Sequence, residues 1–236
     1  MPPTALDRLN RDLVNCERCP RLRRYCAQVA RVRRQAYQDQ VYHGRPVPNF
    51  LPAGDPAQTP ILIVGLAPAA HGANRTGRMF TGDRSGDWLF QAMHEAGLAS
   101  QPASVQVHDG LTLHNCLITA ACHCAPPANK PARVELERCS AWLDATVAHL
   151  TNLQVVVCLG RIAFDAALKL YRRQGWIAGR RGLKFAHGAM LRLPGAPTLV
   201  CSYHPSQQNT FTGRLTRTML RDIFTRARRE AGLKSL

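Results

Sequence analysis

Two distant segments of the chain carry residue types from which a reaction site could be built. The glycine-rich segment 65–86, which contains Asp83, follows the apolar run 61–64, and the triplet that begins at His204 follows the apolar run 198–201. Both runs predict buried strands, and loops that leave the carboxyl ends of parallel strands meet in one crevice. We expect the carboxylate and the imidazole to share that crevice, where such a pair suits proton transfer and charge stabilisation.

The spacing of the cysteines offers a second kind of chemistry. Two residues separate Cys16 from Cys19, so their thiolates could bind one metal ion or cluster, form a redox pair, or be close by accident. Cys124 and Cys139 flank a proline-rich segment further along and are the candidate partners, with Cys122 as a competitor of Cys124. The remaining cysteines lie in apolar surroundings typical of small buried side chains: Cys26, Cys116, Cys158 and Cys201.

The charge of the chain narrows the class of partner. There are 31 Lys and Arg residues against 15 Asp and Glu, a formal net charge of +16. Such an excess predicts a polyanionic partner such as nucleic acid, although arginine runs at 18–34 and 214–229 could also be solvated helix faces. No segment approaches the roughly 18 uninterrupted apolar residues of a spanning helix and no lipidation signal is present, so we expect no membrane partner.

Length and cysteine content predict the organisation of the chain. A chain of 236 residues suits one α/β domain, and no low-complexity linker divides it, so we expect a single domain over 1–236. An export signal has a positively charged region followed by an apolar core, and the N-terminus has no such pattern. Nine cysteines, an odd number, are more typical of thiols or metal ligands than of disulfides. These features predict a cytoplasmic protein.

The elements that must position the candidate residues alternate between strands and helices. The hydrophobic pattern predicts strands at 61–65, 113–121, 153–160 and 198–203. It predicts helices at 6–30 with a break at Pro20, then at 85–96, 131–150, 162–171 and 215–231, and irregular chain at 44–60 and 175–188. This alternation predicts an α/β fold, a three-layer α/β/α sandwich with a central four-stranded, mainly parallel sheet.

Several motifs occur in a fixed order over most of the chain. They are Cys16-x-x-Cys19, Gly65-Leu66-Ala67-Pro68-Ala69, the stretch from Asn74 to Gly86, Cys124-Ala125-Pro126-Pro127-x-Asn129-Lys130-Pro131, Cys139, and His204-Pro205-Ser206. With these motifs the chain resembles the uracil-DNA glycosylase superfamily, and more closely its iron-sulfur type-B branch, family five. Each fragment alone is modest evidence, and their common order makes the resemblance specific.

The resemblance implies a cofactor. In that family a 4Fe-4S cluster would be held here by Cys16, Cys19, Cys124 and Cys139. It would be structural, pinning the N-terminal segment and a loop to the sheet. A four-thiolate zinc site is the alternative that the cysteines themselves leave open.

The resemblance also implies a reaction, the hydrolysis of the N-glycosidic bond of uracil in DNA during base excision repair, which leaves an abasic site. The enzyme would be a monofunctional glycosylase and a monomer, acting on double-stranded DNA with damaged bases and, as a second form of substrate, on single-stranded DNA. It would extrude the target base from the duplex into a pocket. The residues implied for that base pocket are Gly65, Leu66, Ala67, Phe80, Ala120 and Ser206.

Three polar residues receive catalytic roles from the resemblance. His204 would donate a hydrogen bond to the oxygen of the departing base, and Asp83 would position or deprotonate the attacking water. Asn129 would contact base, water or phosphate. Each has a simpler alternative. His204 could be a structural histidine at a strand exit, and Asp83 could be an N-cap for the helix that begins near residue 85. Asn129 could be an asparagine in a proline-bounded turn.

The chain departs from better-known uracil glycosylases at two places. Those enzymes carry an acid or amide within the first motif, where this chain has 66–69, and the type-A branch has an asparagine where we align Ala120. Apolar side chains cannot select a base by hydrogen bonding. We therefore expect a broad substrate range that includes deaminated purines such as hypoxanthine, at a reduced rate for each base.

Two other function classes fit parts of the sequence. A non-catalytic iron-sulfur protein that binds DNA would share the charge and the cysteines, but binding alone does not require the pair of Asp83 and His204. A redox or nucleotide-utilising enzyme is less favoured, since no strand is followed by the glycine pattern of a dinucleotide site or a P-loop.

Overall fold

The computed structural model describes residues 2–234, so the first residue and the last two residues of the predicted domain lie outside it. Four strands pair in parallel: β1 (Ile61–Gly65), β2 (Cys116–Ala120), β3 (Val155–Leu159) and β5 (Thr198–Ser202). A fifth strand, β4 (Met190–Leu191), pairs antiparallel with β5, which gives the order β2-β1-β3-β5-β4.

The sheet has one strand more than the sequence analysis predicts. The extra strand β4 has two residues and lies at the edge of the sheet, next to the segment expected to be irregular. A strand of that length contains too little alternation to be seen in a sequence. The four predicted strands are confirmed, with bounds that differ by up to three residues at either end.

The helices follow the predicted alternation. They are α1 (Ala5–Val14), α2 (Pro20–Val32), α3 (Ala73–Thr76), α4 (Arg84–Glu95), α5 (Arg133–Ala148), α6 (Arg161–Arg173), α7 (Gln207–Phe211) and α8 (Arg217–Glu230). The break at Pro20 separates α1 from α2, because proline suits the first turn of a helix and not its interior. The short helices α3 and α7 occupy stretches for which no helix is predicted.

The sheet is covered on both faces, so the three-layer sandwich is confirmed. Ile61 and Ile63 of β1 pack with α4 and α8 in one hydrophobic cluster, while Leu62 and Val64 pack with α5 and α6 in another. Successive side chains of a strand point to opposite faces of the sheet, so a continuous apolar run is buried on both faces. All five residues of β1 are buried.

The N-terminal helices are tied to this sandwich at α5. Helix α1 contacts α5, and Arg21 at the start of α2 donates two hydrogen bonds of 2.7 Å to the Glu135 carboxylate. A third, smaller cluster joins α2 to the loop after β2. Among the described residues, no helix has the length and apolar character needed to cross a bilayer.

Candidate active site

The loops that leave β1, β2 and β5 enclose a cavity of about 890 Å³ at the carboxyl edge of the sheet. The two segments that the sequence analysis expects in one crevice therefore do meet, as the geometry of parallel strands requires. All nine candidate pocket and catalytic residues line this cavity: Gly65, Leu66, Ala67, Phe80, Asp83, Ala120, Asn129, His204 and Ser206.

Phe80 lies in the cavity wall with a strained backbone. Its φ is 55°, a left-handed value that is rare for an aromatic residue. Two close contacts impose this conformation: a Cβ on Gly65 would lie 2.9 Å from the Phe80 ring, and a Cβ on Gly86 would lie 1.8 Å from the Phe80 carbonyl oxygen. The ring centroid lies 5.9 Å from that of His204. Strain held by its surroundings is typical of functional sites.

Asp83 caps helix α4 and also faces the cavity. Its Oδ1 accepts a hydrogen bond of 3.0 Å from the Gly86 amide, so Asp83 is the N-cap of this helix. Its Oδ2 faces the Gly72 backbone, where a Cβ would lie at 2.1 Å. Burial raises the pKa of the Asp83 carboxyl above its ordinary value, although hydrogen bonds from the Gly86 and Ser85 amides act against this.

His204 leaves the end of β5 with its ring exposed to the cavity. Its Cβ packs over Gly160, where a side chain would meet it at 3.2 Å, and Asn209 donates a 2.8 Å hydrogen bond to its carbonyl. Neither ring nitrogen has a hydrogen-bond partner among residues 2–234. Burial lowers the pKa of His204 to about 4, so the imidazole is neutral at neutral pH. Ser206 lies beyond it and caps α7.

Asn129 is an exposed residue at the rim of the cavity. It and Ala128 both have positive φ values, 56° and 51°, and the Asn129 amide donates to the Pro126 carbonyl. The expected proline-bounded turn is thus present, and it places Asn129 against the cavity.

Four further residues line the outer part of the cavity and were not singled out in the sequence analysis. They are Tyr25, Arg34, Tyr37 and His71. Tyr25 and Arg34 belong to the arginine-rich run 18–34 that predicted only a nucleic-acid partner, and Tyr37 lies three residues after it. Aromatic residues interleaved with arginines were the signal that could have identified them.

The four predicted ligands meet in the structure. Cys16, Cys19, Cys124 and Cys139 line a second small cavity, and Cys122 lines it as well. The Cys122 thiol donates to the Cys124 carbonyl at 3.4 Å, and the Cys26 thiol donates to the Ala125 carbonyl at 3.6 Å.

The chain bends between Cys122 and Cys124 at His123. The ring of this residue is buried and makes a 2.8 Å hydrogen bond to the carbonyl of Val47. Both neighbours of His123, Cys122 and Cys124, line the cavity that also contains Cys16, Cys19 and Cys139.

The surroundings of the four thiols suit a thiolate-bound iron-sulfur cluster. Trp142 Nε1 donates to Cys16 Sγ at 3.4 Å, and the His123 amide donates to Cys139 Sγ at 3.3 Å. Hydrogen bonds to sulfur stabilise the negative charge of such a cluster, and Arg138 lines the same cavity. Between residues 2 and 234, no three metal-ligating side chains are close enough to hold a single ion.

Comparisons with known proteins identify the family of the chain. Residues 51–228 match the family model described as the Uracil DNA glycosylase superfamily. The chain is 46% identical over 230 residues to the Type-5 uracil-DNA glycosylase of Mycobacterium leprae, with 97% of each chain covered. Two other similar proteins have the same name. The chain is 48% identical to that of Mycobacterium bovis, with 96% of this chain and 82% of the relative covered. It is 46% identical to that of Thermus thermophilus, with 94% of this chain and 96% of the relative covered.

Proposed function

The chain belongs to the uracil-DNA glycosylase superfamily, and we propose that it hydrolyses the N-glycosidic bond of uracil in the cavity at the carboxyl edge of its sheet. It is a uracil-DNA glycosylase, a hydrolase of DNA repair. The observation that supports this location is the meeting of Asp83, His204 and Phe80 in one cavity. Water adds to the sugar at C1′, the C1′–N bond breaks, and the base leaves with the electron pair.

Phe80 is the proposed stacking partner of the extruded base. The Cε2 and Cζ atoms of its ring lie against Gly65, and the residue lines the cavity. Extrusion costs a few kcal/mol, least for a mispaired base such as uracil opposite guanine, and stacking offsets part of that cost.

His204 is the proposed donor to the departing base. Because its pKa is about 4, it acts as a neutral imidazole, and an N–H group placed before the reaction stabilises the negative charge that develops on the base oxygen. No proton has to be transferred for this stabilisation.

Asp83 is the proposed group for water and sugar. One carboxylate oxygen is fixed by the Gly86 amide as the helix cap, and the other faces the loop at Gly72. A carboxylate held in this way can accept a proton from water and stabilise the cationic sugar. Asn129, at the rim, is the proposed third polar contact, to base, water or phosphate.

The apolar wall of the cavity supports a broad substrate range. Leu66, Ala67 and Ala120 supply no side-chain hydrogen-bonding groups to a base, so base selection rests on shape, stacking and the neighbouring backbone. We propose that hypoxanthine and other deaminated bases are also substrates.

The proposed cofactor is a 4Fe-4S cluster held by Cys16, Cys19, Cys124 and Cys139, all of which line the second cavity. Cys122 lines the same cavity and is the competitor of Cys124. When bound, the cluster supplies four cross-links between the N-terminal segment, the loop after β2 and helix α5. Those links hold the loop that continues to Asn129.

The proposed partner range follows from the reaction. The substrate is DNA, double-stranded and also single-stranded, with no membrane partner, and the enzyme acts as a cytoplasmic monomer. We also propose a single domain over 1–236, because α1 and α2 both contact α5 and do not stand apart from the sandwich.

The decisive experiment uses duplexes with one defined lesion. Purified protein is incubated with DNA that contains uracil opposite guanine, hypoxanthine opposite thymine, or an undamaged pair, and strands are then cleaved with alkali at abasic sites. We expect cleavage of the first two duplexes and none of the third. Binding of the uracil duplex without alkali-labile sites would support the non-catalytic alternative instead.

A further inference from the structure

A second histidine on the cavity wall has no part in the proposed chemistry. His71 lies in the loop between β1 and α3, is half-buried, and lines the cavity together with Arg34 and Tyr37. Its ring meets that of Tyr42 edge to face, with centroids 6.0 Å apart.

Tyr42 holds the ring of His71 through Nδ1. The Tyr42 hydroxyl oxygen accepts from the Arg34 backbone amide at 3.4 Å and lies 3.0 Å from His71 Nδ1. In the tautomer that carries its proton on Nε2, Tyr42 donates to Nδ1 and the Nε2–H group is the donor offered to a ligand. Nε2 bonds to no side chain or backbone group within residues 2–234.

The surroundings of His71 favour a neutral ring beside an anion. Burial first, and then the charges of Arg34 and Arg75, lower the pKa of His71. The Arg75 guanidinium stacks 4.0 Å over Tyr37 and donates to the carbonyls of His71 and Gly82. This part of the cavity wall thus offers one cation, Arg34, and one N–H donor, while Arg75 is buried.

We propose that Arg34 and His71 bind a phosphate of the DNA strand next to the extruded nucleotide, an inference that rests on the proposed function. The base belongs beside Phe80, and the sugar belongs beside Asp83. Asp83 abuts Gly72, and His71 is the next residue along the chain, about 3.8 Å further at its Cα. The group of a nucleotide that lies outward from its sugar is the phosphate.

Salt dependence separates the two proposed contacts. The full-length protein with its cluster is titrated with a uracil duplex whose 2′-fluorinated sugar resists cleavage. We expect Arg34→Ala to reduce the log–log salt slope by about 0.9, since one phosphate charge is no longer neutralised. We expect His71→Ala to weaken binding by about tenfold at every salt concentration with an unchanged slope, because a neutral donor releases no counterion.

A matched control is available on the other edge of the sheet. Arg172 is exposed in the last turn of α6, a helix that returns from the cavity edge toward the amino ends of the strands. Arg172→Ala should leave affinity and slope as they are in the wild type. A slope change in this variant equal to that of Arg34→Ala would overturn the subsite.

Methylphosphonate linkages identify the atom that His71 contacts. Replacing either phosphate beside the uridine by a neutral methylphosphonate should abolish the penalty of His71→Ala at one of the two positions. An unchanged penalty at both positions, or a penalty that differs between uracil and hypoxanthine, would overturn a phosphate contact.

Tyr42→Phe tests the positioning of the His71 ring. It should cause a smaller loss of affinity at the same phosphate, and no further loss when combined with His71→Ala. An additive loss would show that Tyr42 does not act through His71.

The failure of this inference can be distinguished from the failure of the proposed function. If the wild type cleaves uracil DNA while His71→Ala binds as the wild type does, the phosphate subsite alone is refuted. If the wild type neither binds nor cleaves that DNA, the proposed function is refuted with it.

Discussion

At the scale of single residues, burial shifts two pKa values in directions that matter for the proposed reaction. It raises the pKa of Asp83 and lowers that of His204 to about 4. The low dielectric of a buried site disfavours charge on either group. The imidazole is therefore a neutral donor over the working pH range, and the carboxylate has a higher affinity for protons than one in water.

Asp83→Asn separates catalysis from helix capping. An amide oxygen can still accept from the Gly86 amide, so we expect this variant to fold, but it cannot take a proton or balance a cationic sugar. Single-turnover cleavage of a uracil duplex should fall by about a hundredfold or more. If Asp83→Asn cleaves as the wild type does while Asp83→Ala only unfolds, Asp83 is a cap and Asn129 is the next residue to test.

His204→Ala should lower single-turnover cleavage by about a hundredfold, with a much smaller change in the affinity for an uncleavable uracil duplex. The wild-type rate should fall on the acid side at a pH above the ordinary pKa of a carboxyl, because burial raises the pKa of Asp83 and its protonated form cannot take a proton from water. That acid limb should disappear in Asp83→Asn. A limb near pH 6.5 that persists in Asp83→Asn would assign it to a histidine.

At the scale of the elements, the site depends on loops that are fixed by a few buried contacts. The loop 66–82 is held by Arg75, whose guanidinium donates to the carbonyls of His71 and Gly82. The loop after β2 joins the first motif where the Cys122 amide donates to the Leu66 carbonyl. A cluster bound at Cys124, two residues further along this loop, would therefore fix the backbone on both sides of the base pocket.

Iron content distinguishes Cys122 from Cys124 as a ligand. Protein purified without oxygen should be brown with about four irons per chain. Cys124→Ala should lose most of the iron and of the folded yield, whereas Cys122→Ala should keep both, because the Cys122 thiol is used as a donor to the Cys124 carbonyl. Iron loss in Cys122→Ala with retention in Cys124→Ala would put Cys122 in place of Cys124 in the ligand set. One zinc per chain would refute the cluster.

At the scale of the whole molecule, charge and shape act together. The net charge of +16 exceeds what solubility needs, and arginines reach the cavity itself at Arg34 and Arg84. Arg84 stacks 4.6 Å over the exposed ring of Phe211 on α7. Basic and aromatic groups that surround a cavity form a surface suited to DNA with one extruded base.

The affinity for duplex DNA should fall steeply with salt, with a log–log slope near −0.9 for each phosphate neutralised. Titration of the uncleavable duplex by fluorescence anisotropy at several salt concentrations measures this slope. Truncation after residue 213 is a poor variant for the purpose, because α8 packs on α4 and β5. A slope near zero in the wild type would mean that the excess charge is a solvated surface.

The sequence alone determined the parts of this protein that depend on local pattern and on the order of motifs. Continuous apolar runs indicated four strands buried on both faces, and the alternation with helices predicted the sandwich. The motifs placed nine residues that do line one cavity. The prediction of one shared cavity was correct because the carboxyl ends of parallel strands lie at one edge of the sheet whatever the details of packing.

Only the tertiary structure decided features that depend on contacts between distant residues. The meeting of Cys16 and Cys19 with Cys124 and Cys139 depends on the packing of α2 and α5 against the loop after β2. The contact of His71 Nδ1 with the Tyr42 hydroxyl joins residues that are 29 positions apart in the chain. Desolvation and hydrogen bonding arise from neighbours in space, which spacing along a chain does not contain.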